Sequence, residues 1–429
     1  MNKRKIGLCF LAAFLYVVTS PSLTHANNVT LSNVQVGYRN PAAKSVAVLF
    51  NLSWENSWRN KINHDAVWVM ARLSDLQASS SEKKLCLLTV GGLNPSGTSC
   101  GTNSDLEVYV PQDKMGAFVR RTKNHSTDTA SSSNVMLTID YDSCGFSESS
   151  KIAVTLFALE MVYVPRGSFY AGDNAVSSAS FRRGSADAAP WPIASEGAMT
   201  VADVASGGYY YFSAGNDGEF PTGTAFSVPA QFPKGHAPFY AMKYEITEGQ
   251  WVDFVNSLPS AARLNRDLTN SAYKNSDSVL SRNTIACSGS PLVCVSQRPS
   301  RPVSYVKWTD LSAFLDWAAL RPMTELEFEK LARGPVLPLS GEFAWSSTDI
   351  AAADAVSGSL EEGDEIVTTS LANARFADAV LSGGDSSQGS EYQKGPLRSG
   401  IFATNTSDRQ TSGAGYYGAM ELSGNLKEW

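Results

Sequence analysis

Cysteines, histidines and paired carboxylates are the residues that could carry redox, metal or acid–base chemistry, and here they are scattered. Cys9 lies in an N-terminal apolar run; Cys86, Cys100, Cys144, Cys287 and Cys294 follow with no C-x-x-C spacing. That gives no support to a zinc ribbon or a thioredoxin-type dithiol. The short loops favour Cys86–Cys100 and Cys287–Cys294 as disulfides, with Cys144 left alone, although connectivity does not follow from sequence. His64, His125 and His236 have no metal-binding spacing and are expected to be structural or solvated. No Ser/His/Asp order and no phosphate-cradling glycine loop is visible. The pair Glu361-Glu362 lies in a polar, loop-like stretch and reads as solvated.

Positioning any such residues takes a scaffold, and 429 residues are long for one core, so two domains are expected. A hydrophobic content of 43% with 18% charged residues indicates a globular chain. Residues 1–26 read as a secretory signal: Lys3, Arg4 and Lys5, then the apolar Ile6–Val18, then the cleavage site Thr24-His25-Ala26. That run is too short to span a bilayer comfortably. The mature protein is therefore expected to be secreted, periplasmic or on the cell surface, without a membrane span. Loss of the leader's three basic residues takes the net charge from −6 to −9. Such a balance argues against a nucleic-acid partner, which needs a basic footprint.

Residues 27–158 read as a small all-β, sandwich-like domain. Val46, Val48, Phe50, Leu52 and Trp54 share one face of a strand by alternation. Asp65–Arg72, Leu106–Val110, Val135–Tyr141 and Ile152–Leu159 are further strands, separated by turn-rich segments. Trp54, Trp58 and Trp68, with Arg59 and Asp65, form either core plus a salt link or a ligand platform. The core reading is better supported, because aromatics dominate core burial.

A second domain, 159–429, opens with Glu160–Gly172 (EMVYVPRGSFYAG). Residues of about 173–231 read as an insertion with local hairpins. Phe239–Ile246 reads as a strand, followed by a capping box, Thr247-x-x-Gln250, and an apolar face of Trp251, Phe254, Val255 and Leu258. Arg301–Gly334 reads as strand, helix, break, helix. Leu311, Phe314, Leu315 and Ala318 line the first helix. Thr324-x-x-Glu327 caps the second, Glu329 and Arg333 pair at i, i+4, and Gly334 is placed as a left-handed cap.

These motifs resemble the formylglycine-generating-enzyme (sulfatase-modifying factor) family. Pro302, Val303, Val306, Trp308, Asp310, Trp317, Arg321, Pro322, Thr324, Glu325, Glu327 and Arg333 match PV..VSW.DA..YC.W...RLPTEAEWE.AARGG. Phe328 replaces a tryptophan and Leu315 a common cysteine. The segment around Lys243-Tyr244-Glu245 is similar to F.I.KYEVTN.QY..F, and Gly415–Trp429 to G.YGLYDM.GNVWEW. Phe343-Ala-Trp345 stands at YPWG without the glycine, so that turn is expected to differ.

The resemblance implies an α+β fold of C-type-lectin type after the all-β domain. It also implies structural calcium held by Glu421, Gly424, Leu426 and Glu428, whose carboxylates and carbonyls are hard oxygen ligands. A second calcium site would start at Asn373 and Ala374, with Asp385 as distal carboxylate. Family enzymes carry a copper-binding cysteine pair beyond GNVWEW, together with RGGSW and GFR segments. None of these lies within residues 1–429, so a fragment is expected. The H-x-x-x-H iron site of related sulfoxide synthases and the EPN, QPD and WND motifs of sugar-binding lectins do not occur. Two functions follow: an exported, non-catalytic protein that binds or displays an unidentified protein or surface ligand, or a copper-dependent formylglycine-generating oxidase acting on sulfatases, if a C-terminal segment supplies the cysteine pair.

Overall fold

Long antiparallel strands open the fold, and their alternating side chains feed different cores. In this computed structural model the described residues are 29–78, 82–173, 180–184, 189–202, 205–212, 225–269, 282–358, 365–376, 381–383, 394–404 and 406–427. The signal-like segment 1–26, Glu361-Glu362, Asp385 and Glu428 lie outside them. The early strands are β1 (Thr30–Asn40), β2 (Ser45–Arg59), β3 (Asp65–Asp75), β4 (Lys84–Leu85), β5 (Gly92–Leu93), β6 (Leu106–Val110), β7 (Ala117–Arg121), β8 (His125–Asp140) and β9 (Ile152–Val164). β1, β2 and β8 form one antiparallel sheet. β9, β3, β7, β6 and β5 run in that order through a second sheet, with β4 beside β3 and the later strand Phe239–Met242 outside β9.

The period of two decides burial. Val67, Val69, Ala71 and Leu73 of β3, with Leu156 and Ala158 of β9, face the first sheet and close a sandwich core on Val46, Val48, Phe50, Leu52 and Trp54. Ala66, Trp68, Met70, Phe157, Leu159 and Met161 point the other way, onto helices. Each of the larger aliphatic or Phe side chains among them stabilises by roughly 1.5–3 kcal/mol when fully buried, the alanines by less. The expected boundary at residue 158 falls inside β9, so the all-β part and the rest share one sheet.

The three tryptophans are not a cluster. Trp54 is in the sandwich core, Trp68 in the helix-covered core, and Trp58 packs against a third group with Val162, Ala241 and Tyr417. Arg59 does not pair with Asp65; it lies 3.8 Å from Glu107.

The disulfide expectation is half corrected. Cys287–Cys294 forms across a hairpin, but the other bridge is Cys86–Cys144, and Cys100 is a free, half-buried thiol. Register is the reason. Leu88 bridges Ile139 near the end of β8, which sets Cys86 beside the turn holding Cys144, while Ser99 bridges Met136 further back.

The region expected to hold local hairpins pairs non-locally instead. β10 (Phe169–Ala171) joins β12 (Trp191–Ile193). β11 (Ser180–Arg183), β13 (Met199–Val201), β14 (Tyr209–Phe212) and β15 (Phe226–Val228) form a sheet in the order β11-β14-β13-β15. Phe181, Trp191, Ile193 and Val201 give it a core that also takes Leu326.

β16 (Phe239–Met242) stops four residues before the expected end. α1 (Glu248–Ser257) has both arms of the Thr247/Gln250 capping box, and the short α2 (Ser260–Leu264) follows. The hairpin β17 (Ile285–Ser288) and β18 (Val293–Ser296) carries the second disulfide. No strand precedes α3 (Trp308–Trp317): Pro302 lacks an N–H and makes only an isolated bridge to Thr247. α4 (Glu325–Arg333) has the Thr324/Glu327 box, and Arg333 bonds Glu329 as expected. Gly334 closes the helix with its N–H on Lys330 O at 2.8 Å, but at φ 68° and ψ −153° it is not in the left-handed helical conformation expected. β19 (Ala355–Ser357), β20 (Ile366–Val367) and β21 (Ser382–Gly383) complete a small sheet.

Candidate functional site

The separate sequence motifs meet around β16. Lys243, just past its end, is buried with its Nζ 3.1 Å from Glu160 Oε2 and 3.3 Å from Asp65 Oδ2. Burial pushes the Glu160 carboxyl up to about 8, against the opposing pull of Lys243, and raises Asp65 too. Two residues on, Glu245 grips the turn near the other end of the fold. Its carboxylate accepts from Asn425 Nδ2 at 2.6 Å and from the Leu426 N–H at 3.2 Å. Asn425 also exchanges bonds with the Leu397 backbone, at 2.8 and 3.2 Å.

A groove of about 1580 Å³ opens between β16 on one side and α3 and α4 on the other. All four β16 residues line it, and Leu315 and Phe328 face them. Five carboxylates line it against three cations, and among the described residues no cysteine or histidine does. Tyr240 at its wall takes a 2.8 Å bond from Arg120 and lies 3.0 Å from His64 Nε2. Burial depresses His64 to about 3 and lifts the Tyr240 phenol to about 12, so this pair is neutral across the ordinary pH range. His64 stacks on Tyr163 with centroids 4.8 Å apart, the structural role expected of it.

The positions singled out for calcium adjoin one another. Glu421 is buried and accepts the Gly400 N–H at 2.7 Å. At Gly424, with φ 101°, an added Cβ would lie 2.6 Å from Arg375 O, so that turn needs glycine to pack on the segment holding Asn373 and Ala374. The Asn425 N–H then bonds Arg375 O at 2.6 Å. Asn373 is engaged already: its Oδ1 accepts from Ala351, and its Nδ2 donates to Gln410 O at 3.1 Å. The Ala374 carbonyl accepts from the Ala353 N–H. Oxygen donors at Glu421, Gly424 and Leu426 have the hard character calcium needs. Asn373 and Ala374 are committed to closing their own loop and fit it less well. Among the described residues no three His, Cys, Asp or Glu side chains converge as a metal cluster.

Phe343-Ala-Trp345 forms a turn without a glycine. Ser346 adopts φ 61°, its N–H bonds Phe343 O, and the Phe343 N–H bonds Ser347 O. Phe343 stacks on Trp345 at 5.1 Å between centroids. Serine takes the left-handed conformation there at a cost in strain.

Elements and motifs of this kind define a sulfatase-modifying-factor scaffold with the C-type-lectin-like fold that the family implies. A family model described as "Sulfatase-modifying factor enzyme 1-like domain" matches residues 153–429, and the chain belongs to that family. No curated protein and no solved structure matched the chain. Sequence reasoning missed Glu245 as the carboxylate that pins Asn425. Its only signal was membership of the KYE motif, because the two residues are 180 positions apart.

Proposed function

We propose that this chain is an exported protein in which a sulfatase-modifying-factor-like domain serves to bind or display a protein or surface ligand, without oxidase activity. The groove beside β16 supports the binding part of this reading: it is large and mostly apolar. Within residues 153–429 the cysteines are Cys287 and Cys294, joined to each other on the β17–β18 hairpin. A thiolate nucleophile or copper ligand would have to come from elsewhere. Among the described residues no helix is long and apolar enough to cross a membrane. Residues 1–26 support export, with cleavage after Ala26; N-terminal sequencing of the mature protein checks it.

Calcium at the turn of Glu421, Gly424, Leu426 and Glu428 is part of the same reading, as a pin for long loops and not as a reactant. A second ion at Asn373 and Ala374 has weaker support.

The deciding experiment incubates the purified chain with copper and a cysteine-containing sulfatase peptide and looks for formylglycine by mass spectrometry. None is expected. Its formation would replace the binding reading with the oxidase.

A further inference from the structure

We infer that Asn63 and Trp58, at the β2–β3 turn of the sandwich, are positioning residues for the Glu421 carboxylate: they hold the backbone just before Glu421 in the form that places this oxygen donor. The inference rests on the calcium reading of the Glu421 turn and makes that site depend on the all-β part of the chain.

The β2–β3 turn is fixed by its own bonds. Asn60 Oδ1 accepts the Ile62 and Asn63 N–H groups at 2.7 and 2.9 Å, and the Asn60 N–H returns to Asn63 O at 3.0 Å. Below them Arg59 bridges His64, the Trp58 N–H bonds Asp65, and Lys243 Nζ bonds Asn56 O at 3.1 Å. None of these bonds involves the Glu421 turn.

From that base both side chains meet the loop before Glu421. Asn63 is buried, and its Nδ2 donates to Tyr417 O at 2.9 Å. Gly418 has φ 88°, and an added Cβ would lie 2.9 Å from Trp58 Cζ2. The loop is closed by the Gly418 N–H on Gly415 O and the Gly415 N–H on Ala419 O, at 3.0 and 2.8 Å. It leads to Met420, whose N–H bonds Lys243 O at 2.8 Å.

Glu421 comes next and has φ 57°, a left-handed conformation that a residue with a Cβ adopts only at a cost in strain. Such a conformation persists where the surroundings over-determine it. Here the loop pinned by Asn63, Trp58 and Lys243 holds the backbone, and the Gly400 N–H holds the carboxylate, donating to Oε1 at 2.7 Å. With the sandwich contact cut, the backbone can relax to negative φ, which displaces the carboxylate from Gly400 and from its place as an oxygen donor.

The test uses the full chain and two readouts. Amide hydrogen exchange without calcium follows the Gly400 N–H, which bonds Glu421 and so reports where that carboxylate lies. Titration calorimetry with calcium chloride gives the affinity. Asn63→Ala removes the bond to Tyr417 O and is expected to speed Gly400 exchange and to weaken calcium binding, each about tenfold. Val46→Ala, in the sandwich core near the other end of β2, controls for lost stability. It should lower the melting temperature and leave both readouts near wild type. Should Asn63→Ala fail to fold, Trp58→Phe withdraws the ring from Gly418 while keeping an aromatic side chain there, and should move both readouts the same way.

Gly400 exchange that stays at the wild-type rate in the Asn63 and Trp58 variants, or that rises equally in Val46→Ala, overturns the inference and leaves the calcium reading standing. Unchanged calcium affinity in those variants does the same. A wild-type chain that takes up no calcium overturns the calcium reading, and the positioning of Glu421 by the sandwich then stands or falls on Gly400 exchange.

Discussion

Lys243 Nζ lies 3.1 Å from Glu160 Oε2, with Asp65 Oδ2 on its other side at 3.3 Å, and all three side chains are buried. Glu160 sits on the same face of β9 as Leu156 and Ala158 of the sandwich core and as Val162 and Val164 of the group around Ala241. One ammonium thus ties together β3, β9 and the chain after β16, where those two cores meet. Trp54 Nε1, the Trp58 N–H and the Ser57 hydroxyl also donate to Asp65, at 3.1, 3.0 and 3.2 Å.

Removing the ammonium should be severe. Lys243→Met leaves two buried carboxylates without their cation, and a loss of about 3–5 kcal/mol is expected from urea denaturation. A loss within ordinary surface-mutation scatter would show that Lys243 is not the tie described.

The pH dependence follows from Glu160. Its folded value of about 8, raised first by burial, exceeds the ordinary carboxylate value. The folded state therefore holds a proton that the unfolded state has released. That contribution is fully present below about pH 4.5 and declines as pH rises through about 8. Glu160→Gln should flatten the decline in urea midpoints across that window; an unchanged slope would assign the dependence to other groups.

Ser346→Gly should stabilise. Serine at φ 61° closes the Phe343 turn in a conformation costing about 1–2 kcal/mol for a residue with a Cβ. A gain of about 1 kcal/mol, lowered by the greater entropy of the unfolded glycine chain, is expected in thermal melts.

Gly334 and Gly341 form a matched comparison. Both have positive φ, 68° and 72°, but a Cβ on Gly334 would lie 2.3 Å from the Tyr416 ring, while Gly341 faces open space. Gly334→Ala should therefore destabilise by about 1–3 kcal/mol more than Gly341→Ala. Equal losses would mean the Tyr416 ring moves aside freely.

Calcium should raise the melting temperature of the full chain, and Glu421→Gln should reduce the rise. If the rise is equal in both, Glu421 is not a ligand.

Local patterns carried much of the fold. The capping boxes at Thr247 and Thr324, the apolar faces of α1 and α3, the Glu329–Arg333 pair and the alternation in β2 depend on spacings of two to four residues. Such spacings are written directly in the chain, and the ordered family motifs extended them to a scaffold. Partners distant in sequence were decided by tertiary structure alone. Register along β8 chose Cys144 over Cys100 for Cys86, because backbone pairing, not loop length, fixed which sulfurs met. Sheet topology sent Trp54, Trp58 and Trp68 to different cores and brought Glu245 to Asn425. The same topology puts β16 beyond β9 among the described residues, because strand order depends on which segments distant in sequence arrive beside one another.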